Sequence, residues 1–283
     1  MSLNFFIPGV WAVSLLENLN KAHVYASCFN QEYEGDISAF GDSVRINSMG
    51  RVTVGSYTKN STSVTIETLD DAQQVLIIDQ SKYFAFEIDD IDKRQQKPKL
   101  MDDAMREAAY ALKDTADTYL AAKLVAGVAS GNVLSAAGSV GTGASDDDAY
   151  ELLVDLGVKL DESDVPSIDR WVVIPPWFHG MLLKDPRFVS FGTPENRSAI
   201  RNGEVGETID GFTVKVSNNV PVSSSDYDII AGWTGAGTYA EQINDPEALR
   251  PESSFSDALK GLHLYGSQIT RPNALARVLA TSA

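Results

Sequence analysis

The sequence predicts an α+β fold, and three observations lead to it. The stretch from Glu34 to Asp92, roughly 60 residues, alternates at period two with no helical pattern inside it. A helical pattern of unusual length then runs from Leu100 to Val128. Residues 145–261 mix helix and strand signals, and residues 262–283 return to strand. At 283 residues, 43 % hydrophobic and 22 % charged, the chain has globular composition and enough length for a sizeable core.

The elements follow in order. Residues 9–29 are predicted as a helix, because Leu15, Leu16, Leu19, Ala22, His23 and Ala26 recur at three- and four-residue steps after Pro8-Gly9. Ahead of it, Leu3, Phe5, Phe6 and Ile7 form an apolar extension of the kind that docks on its own core or on a neighbour. In the period-two region Val44 alternates with Ile46, Val52 with Val54 and Val64 with Ile66. Phe84, Phe86 and Ile88 face one way, and Tyr83, Ala85 and Glu87 the other. Turns are expected at Gly41-Asp42, Met49-Gly50, Lys59-Asn60-Ser61, Asp70-Asp71 and Gln80-Ser81. Interleaved Ser, Thr and Asn make this region too polar to own a core, so it is expected to project and find its partner on another subunit.

Asp89, Asp90 and Asp92 followed by Lys93, Arg94, Lys97 and Lys99 read as a solvated elbow; the glycine and closing glutamate of a calcium loop are missing. In the long helix Met101, Met105, Ala108, Leu112, Ala116 and Tyr119 are predicted to line one face. Asp102 and Asp103 suit its first turn, and its many alanines favour helix. Gly127 to Ser145 is small and polar and reads as a mobile linker; Gly138, Gly141 and Gly143 do not spell a phosphate-binding loop. Ser145 is expected to cap the next helix, with Asp146, Asp147 and Asp148 in its first turn and Ala149, Leu152, Leu153, Leu156 and Leu160 as its stripe. Trp171–Ile174 reads as a buried strand closed by Pro175-Pro176, and Trp177–Leu183 as a short helix. Residues 187–206 show weak periodicity and three arginines, Arg187, Arg197 and Arg201. Strands are expected at Thr208–Val216, Tyr227–Ala231, Leu262–Gly266 and Ala274–Leu279.

Charge narrows the function. Lys plus Arg number 23 and Asp plus Glu 39, a net of −16, which argues against a dedicated nucleic-acid binder. The excess sits in the middle: residues 1–145 carry −6, residues 146–261 carry −12 and residues 262–283 carry +2. That block reads either as a well-solvated surface or as one that must not adhere to something anionic, such as packed DNA. Met1–Val13 lacks the basic start of a signal peptide, and no run approaches the ~18 apolar residues of a membrane span. Folding in a cytoplasm is therefore expected.

The partners that catalysis or metal binding needs are missing. One cysteine, Cys28, excludes an intrachain disulfide and a Cys-rich zinc site, and three histidines (His23, His179, His263) lie far apart in sequence. Cys28 and His23 are five apart on the predicted helix and share no face, so Cys28 reads as a buried small hydrophobe. His179, in PPWFHG, reads as a packing histidine, and no GxSxG elbow occurs. Asn60-Ser61-Thr62 and Asn196-Arg197-Ser198 match a glycosylation pattern that has no meaning without secretion. No catalytic, cofactor-binding or metal-binding residue is assigned, no cofactor is expected, and the chain is expected not to be an enzyme.

The order of parts, with IPGVWAVSLLENLNKAHVYA (7–26), YEGDI (33–37), GDSVRI (41–46), IDQSKYFAFEIDDID (78–92), LMDDAMREAAYALKDTAD (100–117) and RPNALARVLA (271–280), resembles the major capsid proteins of tailed bacteriophages with the Hong Kong 97-like fold. The resemblance covers nearly the whole chain and is architectural. It implies an N-terminal arm (1–37), an extended β-hairpin loop (38–97), a spine helix and linker of the peripheral domain (98–144), a mixed α/β axial domain (145–261) and returning strands of the peripheral domain (262–283). It also implies a homo-oligomer of hexamers and pentamers, an icosahedral shell enclosing double-stranded DNA without sequence-specific binding, and no membrane partner. A separate scaffolding protein and a portal are implied, with a decoration protein as an optional partner. The shell would be assembled in the host bacterial cytoplasm and located in the virion. Lys59 and Asn60 lie near the hairpin tip, but no residue pattern marks them for the intersubunit crosslink that some family members form. Two alternatives stand beside this reading: an encapsulin-like nanocompartment subunit of the same fold, and an acidic α/β enzyme.

Overall fold

The computed structural model describes residues 24–31, 43–49, 56, 59, 71–89, 100–141, 146–184, 208–209, 211–243, 247–249 and 256–282. Several expectations lie outside these residues: the apolar extension and most of the 9–29 helix, the strands at Val52–Val54 and Val64–Ile66, the elbow after Asp89, Ser145, and the arginines between 187 and 206.

Two sheets share one long helix. The helix α1 (Leu100–Gly127) is the predicted one, ending a residue early. Its buried line is Met105, Ala109, Leu112, Ala116, Leu120 and Leu124, steps of three and four, with Asp117 and Ala121 beside it. Ala108 and Tyr119, expected on that line, sit at its margins.

The first sheet is four-stranded. Strand β12 (Ser256–Ile269) pairs antiparallel with β3 (Gln80–Asp89) along one edge, and with β10 (Gly237–Ile243) and β11 (Glu247–Leu249) along the other. Its odd-numbered residues face α1: Leu259 packs with Met105 and Ala109, Tyr265 lies edge-on to Tyr119 at 5.4 Å, and Ile269 meets Gly127. From Met105 to Gly127 the helix rises ~33 Å, and from Leu259 to Ile269 the strand rises about the same. Helix and strand therefore run in step. The even-numbered face takes the hairpin of β1 (Ser43–Met49) and β2 (Asp71–Ile77), seated by Leu76 and Ile78 on Ala240 and Leu264.

The second sheet has the order β4-β13-β9-β5-β7-β6, with β8 on β9. These strands are β4 (Val133–Val140), β5 (Arg170–Ile174), β6 (Thr208–Ile209), β7 (Phe212–Val216), β8 (Val222–Ser223), β9 (Asp226–Trp233) and β13 (Leu275–Ser282). Alternation sorts its side chains. Val172, Ile174, Ile229, Ala231, Ala276 and Val278 face α2 (Ala149–Glu162) and α3 (Pro176–Lys184), while Trp171, Val173, Ile230 and Leu275 face α1 and residues 24–29. Two ribbons, β9 into β10 and β12 into β13, pass from one sheet to the other through adjacent 3-10 turns at Thr234–Ala236 and Pro272–Ala274. The corner is fastened by Thr270 and Arg271 N–H groups donating to Ala236 O, at 2.9 and 3.0 Å.

Several expectations are corrected. Residues 133–140, read as linker, form edge strand β4, parallel to β13. Leu134, Ala136 and Val140 keep period two there, but their small neighbours mask it. Asn132, buried before this strand, anchors it by donating to Asn273 O and Leu275 O, both at 3.0 Å. β13, one of the strands expected to return to the long helix, packs Leu275 against that helix and pairs with β9 and β4 in the second sheet. β3, expected to project, is held for ten residues by the chain's own β12, and the turn before it falls at Ile78-Asp79 instead of Gln80-Ser81. The cap of α2 is Asp148, whose carboxylate accepts from Tyr150 N at 3.0 Å, so Asp146 and Asp147 precede the helix. The described end of the 9–29 helix is a single 3-10 turn, Ala26–Cys28, after which Asn30 bridges to Thr238.

Candidate functional site

The residues weighed for chemistry are placed apart and closed off. Cys28 is buried below Lys215, whose Nζ lies 3.6 Å from Sγ and donates to Ser27 O at 3.0 Å. Burial pushes the thiol up to about 12, and the nearby Lys215 charge offsets only part of this. A thiol so protonated and enclosed is a packing group, not a nucleophile. His179 is half-buried on α3, with its backbone N–H on Pro175 O at 3.1 Å. His23 and Asn60 lie outside the described residues, and Lys59 sits exposed in a turn. Among the described residues no group of His, Cys, Asp and Glu could hold a metal ion. No helix among them is long and apolar enough to cross a membrane.

Three buried polar clusters escaped the sequence reading, because their members are far apart in sequence and each looks ordinary alone. His263 is fully buried on the helix-facing side of β12; its Nε2 lies 3.0 Å from Glu241 Oε2, to which Tyr239 Oη also donates at 2.6 Å. Arg277 Nη1 donates to Asp228 Oδ1 at 3.0 Å; burial raises the Asp228 carboxyl above its ordinary value, and Arg277 opposes the rise. Arg170, 5 % exposed, donates Nη2 to Asp161 Oδ1 and Val165 O, both at 2.6 Å, and Nε to Pro166 O at 2.9 Å. It closes the turn between α2 and β5, where Asp164 and Asp169 take positive φ. Each of these side chains has at least one partner within the protein, while His263 Nδ1 and Arg277 Nε are buried without one.

What the molecule does present is apolar surface on strands. On β2, Leu76 points down into the sheet, so Val75 and Ile77 point out, the latter 51 % exposed. On β3, Phe84 and Phe86 face α1, which leaves Tyr83 78 % exposed on the hairpin side. Among the described residues the outer edge of β3 pairs with no strand. The described chain enters this frame at Val24, whose N–H donates to Asp117 Oδ2 at 3.0 Å. It leaves it at Asn30, between Gly237 O and Tyr239 N.

Comparison with known proteins agrees with a frame built for assembly. The family described as phage capsid protein matches residues 57–278. No curated protein matches in sequence. Among solved structures, a protein of Mycobacterium phage Che8 is similar at 29 % identity and TM-score 0.69, covering 90 % of each chain. The capsid of cyanophage P-SCSP1u is similar at 17 % identity and TM-score 0.73, covering 93 % of this chain and 89 % of that one. The SrpI encapsulin of Synechococcus elongatus is similar at 12 % identity and TM-score 0.57, covering 100 % of this chain and 90 % of that one. The family match over most of the length, with the structural likeness to these phage proteins, places the chain in the phage capsid protein family, as a major capsid protein of the Hong Kong 97-like fold.

Proposed function

We propose that the chain is the shell-forming subunit of a tailed bacteriophage, assembling through copies of itself into hexamers and pentamers of an icosahedral shell around double-stranded DNA. The observation that carries this is a match to the phage capsid family over residues 57–278, in a chain whose strands turn Val75, Ile77 and Tyr83 outward. Such residues gain from a neighbour what a lone subunit cannot give them. Closed rings of identical contacts then yield a symmetric shell. The role is structural and without catalysis, in keeping with buried ionic groups that are tied into the frame. The net charge of −16 limits adhesion of the shell to DNA, so the genome is enclosed and not read. The segments divide as arm (1–37), extended loop (38–97), peripheral spine (98–144) and axial domain (145–261), to which we add β13. A separate scaffolding protein and a portal complete the assembly, which takes place in the host bacterial cytoplasm.

Electron microscopy and sedimentation of the expressed chain, alone and with a co-expressed scaffolding protein, test this. Closed shells are expected from the full chain, and soluble subunits that do not assemble from one lacking Tyr57–Glu67. Normal shells from the deleted chain would remove the loop from the assembly contacts, and absence of shells under every condition would defeat the proposal. The likeness to an encapsulin favours a second reading, a nanocompartment with protein cargo. Particles that co-purify with a protein cargo and never with DNA would replace the first reading with the second.

A further inference from the structure

The base of the β1–β2 hairpin is held from both faces of β12. On the even-numbered face Leu76 and Ile78 rest on Ala240 and Leu264, and Gln74 Nε2 donates to Thr270 O at 3.1 Å. On the helix-facing side the turn residue Asp79 reaches α1. Its Oδ1 accepts from Tyr119 Oη at 2.9 Å, and its Oδ2 lies 4.0 Å from Lys123 Nζ. Lys123 in turn stands over the Tyr119 ring, 5.3 Å from its centre. Burial, followed by the hydrogen bond to Asp79, raises the Tyr119 phenol above its ordinary value, so its hydroxyl is a donor at neutral pH. Tyr265 borders the same site. It lies edge-on to Tyr119, and burial, with the Asp79 charge adding to it, pushes its phenol up to about 12.

We infer that Asp79 is a latch: it fixes the angle at which the β1–β2 hairpin leaves the first sheet, and through that angle the place where Val75 and Ile77 meet a neighbouring copy. The first part concerns the single subunit; the second rests on the shell-forming reading. The seat on the even-numbered face is mainly apolar, and apolar contact is non-directional, so on its own it lets the hairpin pivot. Asp79 adds a directional bond on the opposite side of the strand, and a support on each side removes the pivot. Two features make this contact a latch and not a rivet. The Asp79 side chain is 44 % exposed, so water competes for the carboxylate and the bond exchanges readily. The carboxylate also stands among more donors than it uses. Tyr265 Oη and, two residues on along the same face of β12, Ser267 Oγ are buried without a hydrogen-bond partner. A hinge with unused donors beside its one acceptor is not bound to a single position.

Distances between spin labels in the full, unassembled chain test it. Val75→Cys on the hairpin and Ala111→Cys on the exposed side of α1 carry the labels, and native Cys28 is buried and stays unlabelled. The two labels stand on opposite sides of the first sheet. With Asp79 in place, pulsed electron resonance should give one narrow distance. With Asp79→Ala the distribution should broaden about twofold or more. Tyr119→Phe, which removes the donor and leaves Lys123, should broaden it less, and it gives the readout if Asp79→Ala fails to fold. A pair within the frame, Ala111→Cys with Lys260→Cys on β12, should keep its width in both variants. An unchanged width for the hairpin pair would overturn the latch, and so would equal broadening of the frame pair, which marks general loosening. Where the native chain forms closed shells, Asp79→Ala should give roughly threefold fewer or less. Equal numbers would overturn its part in assembly. A native chain that forms no shells defeats the shell-forming reading and leaves the label distances to decide the latch.

Discussion

Gly266→Ala isolates the seat of the hairpin. Gly266 lies on the even-numbered face of β12, opposite Ala240, where the end of β2 crosses. A methyl group there would collide with the Ile77 carbonyl oxygen and come within 3.0 Å of Ile77 C and Ile78 Cα. All three are backbone atoms, so no side-chain rotation relieves the contact. Gly266 has no positive φ, and alanine is otherwise acceptable at this position. Relief requires β2 to lift by roughly 1 Å, which forfeits a quarter to a half of the dispersion contact beneath it. Leu76 and Ile78 are 0 % and 1 % exposed and contribute about 1.5–3 kcal/mol each. The expected loss is about 1–3 kcal/mol, of which the reduced entropy of the unfolded alanine chain offsets ~0.4–1. Urea unfolding of the unassembled subunit should show a lower midpoint, and limited proteolysis should show faster cleavage within residues 43–77. Gly180→Ala is the control: it sits in α3 with nothing within 4 Å of the added methyl and should stabilise by about 0.5–1 kcal/mol. An unchanged midpoint and cleavage pattern for Gly266→Ala would show that β2 does not rest on β12 as described.

Arg170→Ala should destabilise by about 2–3 kcal/mol in urea titration, because it strands the Val165 and Pro166 carbonyls. Arg170→Lys should recover little, since one ammonium cannot reproduce the guanidinium fork. Asp228 should leave a signature in pH. Its folded value is raised above 3.8, so over the interval between the two values the folded state keeps a proton that the unfolded state has released. Its contribution therefore falls as pH rises above 3.8, the reverse of a salt-bridged carboxylate with a lowered value. The stability difference between the native chain and Asp228→Asn should move against the native chain over that interval, as measured by denaturant midpoints at stepped pH. Cys28, at about 12 against an ordinary 9.0, holds about a thousandfold less thiolate at neutral pH. A thiol reagent should leave the native subunit unlabelled and react with one thiol after denaturation.

How much of this was legible follows from which signals are local. The stripe of α2, the buried run Trp171–Ile174 and the whole of α1 declare themselves because each is one periodic segment burying one face. Edge strand β4 did not. It is half-covered, and Ser, Ala and Gly serve an edge as well as they serve a linker. The sheet that β13 joins was beyond reach for a different reason: it depends on a partner more than a hundred residues away, and Leu275–Leu279 reads the same in either sheet. The polar clusters are the extreme case. Glu241 and His263 meet only because β10 and β12 are in a register that pairs Glu241 with Tyr265. The resemblance supplied the order of parts, and the pairings show how that order is tied: both ribbons change sheets at one corner, with Ala236 O taking the N–H groups of Thr270 and Arg271. Thr270 Oγ1 donates to the same oxygen at 3.0 Å and Arg271 lies over the Trp233 ring, so the corner couples the two sheets through backbone and side chains together. The two sheets also share one core, in which Tyr239 and Tyr265 pack with Trp171, Ile230 and Leu275 around α1, so a shell that needs subunits at slightly different angles would have to disturb this core and its corner or obtain the difference at the contacts between subunits.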